Sequence, residues 1–110
     1  MSRPPVPLDA LLGRGAKYSG ELTFQGRVRL DGHFTGRIRT EDTLEIGESG
    51  VLEGEVEARE LIVAGRLEGS ARAHERLVLQ PTGWLKGKLD AGSLDAAPGA
   101  RIDAQVKVGR

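Results

Sequence analysis

Residues 28–38 read Val-Arg-Leu-Asp-Gly-His-Phe-Thr-Gly-Arg-Ile, and their alternation decides the fold. Val28, Leu30, Gly32, Phe34, Gly36 and Ile38 are apolar or glycine, while Arg29, Asp31, His33, Thr35 and Arg37 between them are polar. A period of two makes a strand with one dry and one wet face. A helical period would place Arg29 and His33 in the same stripe as the core residues.

The second half of that stretch, GHFTGRI at 32–38, is a Gly-x-apolar-x-Gly-x-apolar unit that returns along the chain. The other copies are GVLEGEV at 50–56, GRLEGSA at 65–71, GWLKGKL at 83–89 and ARIDAQV at 100–106. Their second glycine positions are Gly36, Gly54, Gly69, Gly87 and Ala104, at steps of 18, 15, 18 and 17 residues. Repeats this short, built from alternating residues, are turns of a solenoid, none of which can bury its apolar face alone. A second apolar column falls between the copies, at 44–46, 61–63, 77–79 and 94–96. Leu44, Leu77 and Leu94 stand six residues before the next copy, but Leu61 stands only four before Gly65. The 15-residue step is therefore a loop shortened by two, with its strands intact.

Stacking such turns puts Phe34, Leu52, Leu67, Leu85 and Ile102 in one inward column, and Ile38, Val56, Ala71, Leu89 and Val106 in another. A turn of ~17 residues at ~3.3 Å each has a perimeter of ~55 Å, which suits a three-sided coil. The surface offers a check on register. Arg39, Glu57, Arg72, Asp90 and Lys107 form an outward column whose charge alternates at every turn, as neighbours ~4.8 Å apart prefer. Glu53 beside Glu68 is a like-charged pair that the same register leaves unexplained.

The bulk properties narrow the function. The chain of 110 residues is one domain. Sixteen basic and sixteen acidic residues balance, so charge gives no reason to expect direct nucleic-acid binding. The absence of cysteine excludes disulfides and thiolate-bound metal. No apolar run approaches the ~20 residues of a membrane-spanning helix, and no basic-then-apolar segment suggests secretion. Aromatic residues make up 4% of the chain, so the core is aliphatic and thin. Residues 1–18, with prolines at 4, 5 and 7, read as a flexible N-terminal tail. The reading assigns 19–108 to the coil and 109–110 to a short C-terminal end.

The quoted segments, together with LLGRGAKYSGELTFQGRVRLDGHFTGRI at 11–38, LEIGESGVLEGEVEARELIVAGRLEGSARA at 44–73 and LVLQPTGWLKGKLDAGSLDAAPGARIDAQVKV at 77–108, resemble the bactofilins, a bacterial cytoskeletal family. RLDGHFTGRI and IGESGVLEGEVEA carry most of the likeness. The resemblance implies an all-β protein: a single right-handed, three-sided parallel β-helix of about five to six turns. It implies a cytoplasmic scaffold that assembles end to end into filaments without nucleotide, and that organises cell-shape, wall-growth or chromosome-positioning machinery. Partners implied with it are further copies of the chain, paralogous bactofilins, cell-wall enzymes and chromosome-segregation proteins, with peripheral contact at the inner face of the cytoplasmic membrane. The alternative within the family is a non-polymerising or co-assembling member acting as adaptor or filament cap. Relatives often carry a Phe in the last turn where this chain has Ile102.

Physical reasoning points the same way. A solenoid has two open ends with unpaired strand edges and an exposed slice of core. Two such ends that pair with copies of themselves generate an open filament. Leu22, Phe24 and Val28 are the expected assembly residues at one end, and Ile102, Val106 and Val108 at the other. Covering ~300 Å² of apolar surface yields ~7 kcal/mol gross, much of it offset by association costs, so each joint is reversible. Leu8, Leu11 and Leu12 are read either as a membrane contact or as a lid over the first turn. Trp84 is outward by parity and is read either as a partner or lateral contact or as lying flat over a neighbouring turn.

Catalysis finds no support. Hexapeptide-repeat acyltransferases are also three-sided coils, but their repeat returns about every six residues and they use a catalytic His at a subunit groove. Solenoid carbonic anhydrases need three zinc-binding His; this chain has His33 and His74, in different columns. No nucleophile elbow, phosphate loop or paired-carboxylate cleft appears. The expected catalytic, metal and cofactor sets are empty.

Overall fold

The computed structural model describes residues 8–109, and every element in it is a strand. They are β1 (Leu8–Leu12), β2 (Lys17–Phe24), β3 (Arg27–Leu30), β4 (His33–Thr40), β5 (Thr43–Ile46), β6 (Val51–Val63), β7 (Arg66–Leu79), β8 (Trp84–Ala91), β9 (Leu94–Ala96) and β10 (Arg101–Val108). All pairings are parallel, each strand lying on its counterpart one turn away. The result is a β-solenoid of about six turns.

Each turn contributes one short and one long stretch of strand. The long stretch is broken at its centre by the repeat glycine. Gly36, Gly54, Gly69 and Gly87 take φ of 132°, 137°, 124° and 123°, and they stack directly on one another. This is the region that disfavours any side chain, and it bends the strand into two sides of the triangle. The third side is the short stretch, in which Leu44 lies on Leu61, Leu61 on Leu77 and Leu77 on Leu94. The sequence-derived register of both columns holds throughout.

The uneven steps come from two corners: the 15-residue step loses one residue where the register shifts between Ala58 and Glu60, and two at the corner before Gly65. Gly50 N–H donates to the Gly47 carbonyl (2.8 Å) and Gly83 N–H to the Gln80 carbonyl (2.8 Å), closing a tight turn at each long corner. At 64–65 that turn is missing. Ala64 N–H donates to Ile46 O (2.8 Å) on the turn below, as Gly47 does to Leu30 and Gln80 to Val63 at the long corners, but the chain passes straight to Gly65, so two residues are lost and the next strand stays in register.

Inside, Phe34, Leu52, Leu67 and Leu85 are wholly buried, as are Leu30, Ile46, Val63 and Leu79 on the short side. Two buried polar side chains, Thr40 and Thr43, lie at the corner between the sides; Thr40 Oγ1 donates to the Gly26 carbonyl (2.6 Å). The polar group is thus satisfied where the core begins to open.

The N-terminal boundary differs from the expected one. Residues 8–18 were assigned by composition to the tail, but β1 and the start of β2 form a turn of the coil. Ala10 pairs with Val28, Leu12 with Leu30, Tyr18 with Phe34 and Gly20 with Gly36. The apolar residues of this segment fall opposite apolar residues of the next turn, and that burial outweighs its glycines and nearby prolines. Residues 1–7 of the expected tail lie outside the described residues, as does Arg110.

Candidate functional site

Two kinds of surface remain once the coil is closed: its two ends and its three sides. At the N-terminal end β1 pairs only with β3 and β2 only with β4; at the C-terminal end β9 pairs only with β7 and β10 only with β8. Among the described residues these strands therefore carry one unpaired edge each. Their inward side chains pack on the core from one side only. Ala10, Leu12, Tyr18, Leu22 and Phe24 are half-buried at one end, and Leu94, Ala100, Ile102 and Ala104 at the other. Beyond Ile102 the strand continues with Val106 at 41% and Val108 at 49% exposure.

Of the six expected assembly residues Leu22, Phe24 and Ile102 lie half-buried at the two ends, and Val106 and Val108 are the most open. Val28 is corrected. It is 1% exposed, because Ala10 of the additional first turn covers it. The residues that sequence reasoning missed at this end are Ala10 and Tyr18. Their signal was the Ala16-x-Tyr18-x-Gly20-x-Leu22 unit, a copy of the repeat with alanine in the first glycine position.

The leucines of β1 separate. Leu12 turns inward against the core, as a lid residue would, whereas Leu11 faces outward at 57% exposure over Arg29. The side chain of Leu8 lies outside the described residues. No helix of the described residues is long and apolar enough to cross a membrane.

Trp84 lies flat between two arginines. The guanidinium carbons of Arg66 and Arg101, one turn to each side, stand 4.5 and 4.6 Å from its ring centroid, and its Nε1–H donates to Asp103 Oδ2 (2.9 Å). The ring is held by its neighbours in the column, whose ~4.8 Å spacing is that of a stacked pair.

The remaining charges mostly neutralise one another. Glu53 and Glu68 are adjacent, as the register requires, yet Glu53 bonds His33 while Glu68 takes Arg66 (2.8 Å) and Lys86 (3.9 Å). The hydrogen bond from His33 to Glu53 and the two cations on Glu68 offset the repulsion. On the short side Arg29 donates from Nε to Asp31 (2.9 Å) and from Nη1 to Glu45 (3.1 Å). The Asp31 hydrogen bond, with the charges of Asp31 and Glu45, raises the Arg29 pKa above its already high value despite partial burial. His33 and His74 each face a glutamate on a neighbouring turn, and no cluster of three metal-ligating side chains occurs among the described residues.

The family model described as "Bactofilin: Polymer-forming cytoskeletal" matches residues 10–107. A Myxococcus xanthus protein, bactofilin BacO, is 24% identical over 104 residues, covering 94% of this chain and 82% of its own. No solved structure gives a significant match.

Proposed function

Since the chain belongs to the bactofilin family of polymer-forming cytoskeletal proteins, we propose that it is a scaffold subunit whose filaments grow by end-to-end contact of the coils, without nucleotide. One observation carries the reading: among the described residues, both terminal turns leave strand edges unpaired and core side chains covered on one side only. A second coil set against such an end supplies both the missing hydrogen bonds and the missing apolar contacts. All the binding energy then comes from preformed surface, and no step requires a nucleotide.

The sides suit this role. Interleaved charges of both signs keep coils soluble and discourage sideways fusion. In this reading Leu11 is the leucine available to a membrane surface, and the filament recruits cell-wall enzymes, chromosome-segregation proteins or paralogous bactofilins along its length.

Negative-stain microscopy of the purified chain, with and without ATP, tests the proposal. Filaments under both conditions are the expected result. A species that stays small at high concentration would transfer the role to an adaptor or filament cap, and filaments seen only with ATP would remove the nucleotide-independent mechanism.

A further inference from the structure

The side of the coil that follows the glycine corner carries a shallow groove of about 700 Å³ running along the axis. One wall climbs from Arg37 to Gln105 and the other from Arg39 to Lys107; Val56, Ala71 and Leu89, between them in the chain, are nearly fully buried in the core. The alternating charges of the second wall are in the expected register, but contacts form at only some rungs. Arg72 reaches Asp90 (3.8 Å), while Glu57 turns away to His74 (2.6 Å). In the first wall Glu55 is taken by Arg37 (2.7 Å).

Every acid of the groove is therefore occupied, whereas Arg39, Lys88 and Lys107 have no ion pair among the described residues. Lys88 and Lys107 sit on adjacent turns near one end, and Arg39 lies near the other. From the Arg39 rung to the Lys107 rung is four steps of ~4.8 Å, about 19 Å, the length of about six residues of extended chain.

We propose that this groove docks an extended segment of another protein, with acidic residues near both its ends. The free cations supply the charge complementarity, and the segment lies extended along the groove between the two walls. A peptide fits this pattern better than a continuous anionic surface such as a membrane or nucleic acid. Glu55, Glu57 and Asp90 lie between the cations and would repel a uniform sheet of negative charge, whereas a peptide places its carboxylates only where the cations are. The groove belongs to a single coil and lies along its side, so this docking stands or falls separately from end-to-end assembly.

The test is selection of displayed random heptapeptides on the immobilised full chain. The expected winners carry Asp or Glu toward both ends. The best of them, synthesised with a fluorescent label, should bind about tenfold more weakly to Lys88→Glu/Lys107→Glu, weaken also with Arg39→Glu, and bind Arg76→Glu, altered on the short side, as well as wild type. Circular dichroism should show all variants folded, since these side chains are exposed. Winners without acidic residues, or binding unchanged in the double variant, would overturn the proposal. Capture of anionic vesicles through the same cations would give the groove to a membrane, and loss of side-by-side filament bundling in the double variant would give it to a second copy.

Discussion

The carbonyl oxygen of Gly36 occupies the place where a Cβ on Gly54 would stand. The same relationship links Gly69 to Gly54 and Gly87 to Gly69, so the corner is a column in which each glycine makes room for the turn before it. Gly54→Ala meets both a backbone collision and a φ of 137°. The expected loss is about 2–4 kcal/mol, from strain and overpacking together. Gly20 has a similar φ of 119° but nothing within 4 Å of its missing Cβ, because no turn of the described chain lies beyond it. Gly20→Ala should therefore cost only the strain, about 1 kcal/mol. Chemical denaturation followed by circular dichroism compares the two, and equal losses would show that the carbonyl contact is not what the glycine serves.

The exposed valines of β10 separate assembly from folding. Val108→Arg changes a side chain that is 49% exposed, so the folded coil should lose less than about 0.5 kcal/mol. The same change puts a charge into the proposed joint and should disperse the filaments. Ile102→Arg should disperse them too, but with a clear fall in thermal midpoint, because Ile102 already packs on the core. Val108→Arg filaments of normal length under the microscope would move the joint away from this end.

Trp84 supports its own face. Two cation–π contacts and one hydrogen bond at a partly exposed site are together worth about 2 kcal/mol. Trp84→Ala should lower stability by that amount and leave filaments intact. Trp84→Phe should recover part of the loss, since the stack survives and only the Asp103 bond goes. Were the ring a lateral contact instead, Trp84→Ala would change bundling and leave the denaturation midpoint alone.

The repeat made most of this architecture readable. The Gly36–Gly54–Gly69–Gly87–Ala104 rungs pair as the spacing implies, and so do the leucines of the short side. The first turn was hidden because prolines 4, 5 and 7 bias the segment toward a tail, and because Ala16 stands where four of the five recognised units have glycine. With that turn unread, Val28 looked terminal. Which charges pair was not readable either. The register puts Glu57 beside Arg39 and Arg72, yet its partner is His74, which lies two residues beyond Arg72, and side-chain reach decides that choice. The ends were legible as apolar, but their degree of exposure depends on how much of each side chain the last turn covers.

Membrane attachment, if Leu11 provides it, requires many copies. Burying one leucine yields about 1.5–3 kcal/mol, short of the ~4 kcal/mol that corresponds to millimolar binding. A filament presents one Leu11 per subunit on a connected body, and linked weak contacts add through effective concentration. Wild-type filaments should therefore co-pellet with anionic vesicles, Leu11→Glu filaments should stay in the supernatant, and Val108→Arg subunits should stay there too although their Leu11 is intact. Pelleting of the dispersed subunits would mean that one copy binds well enough alone. Pelleting of the Leu11→Glu filaments would place the contact on another part of the chain.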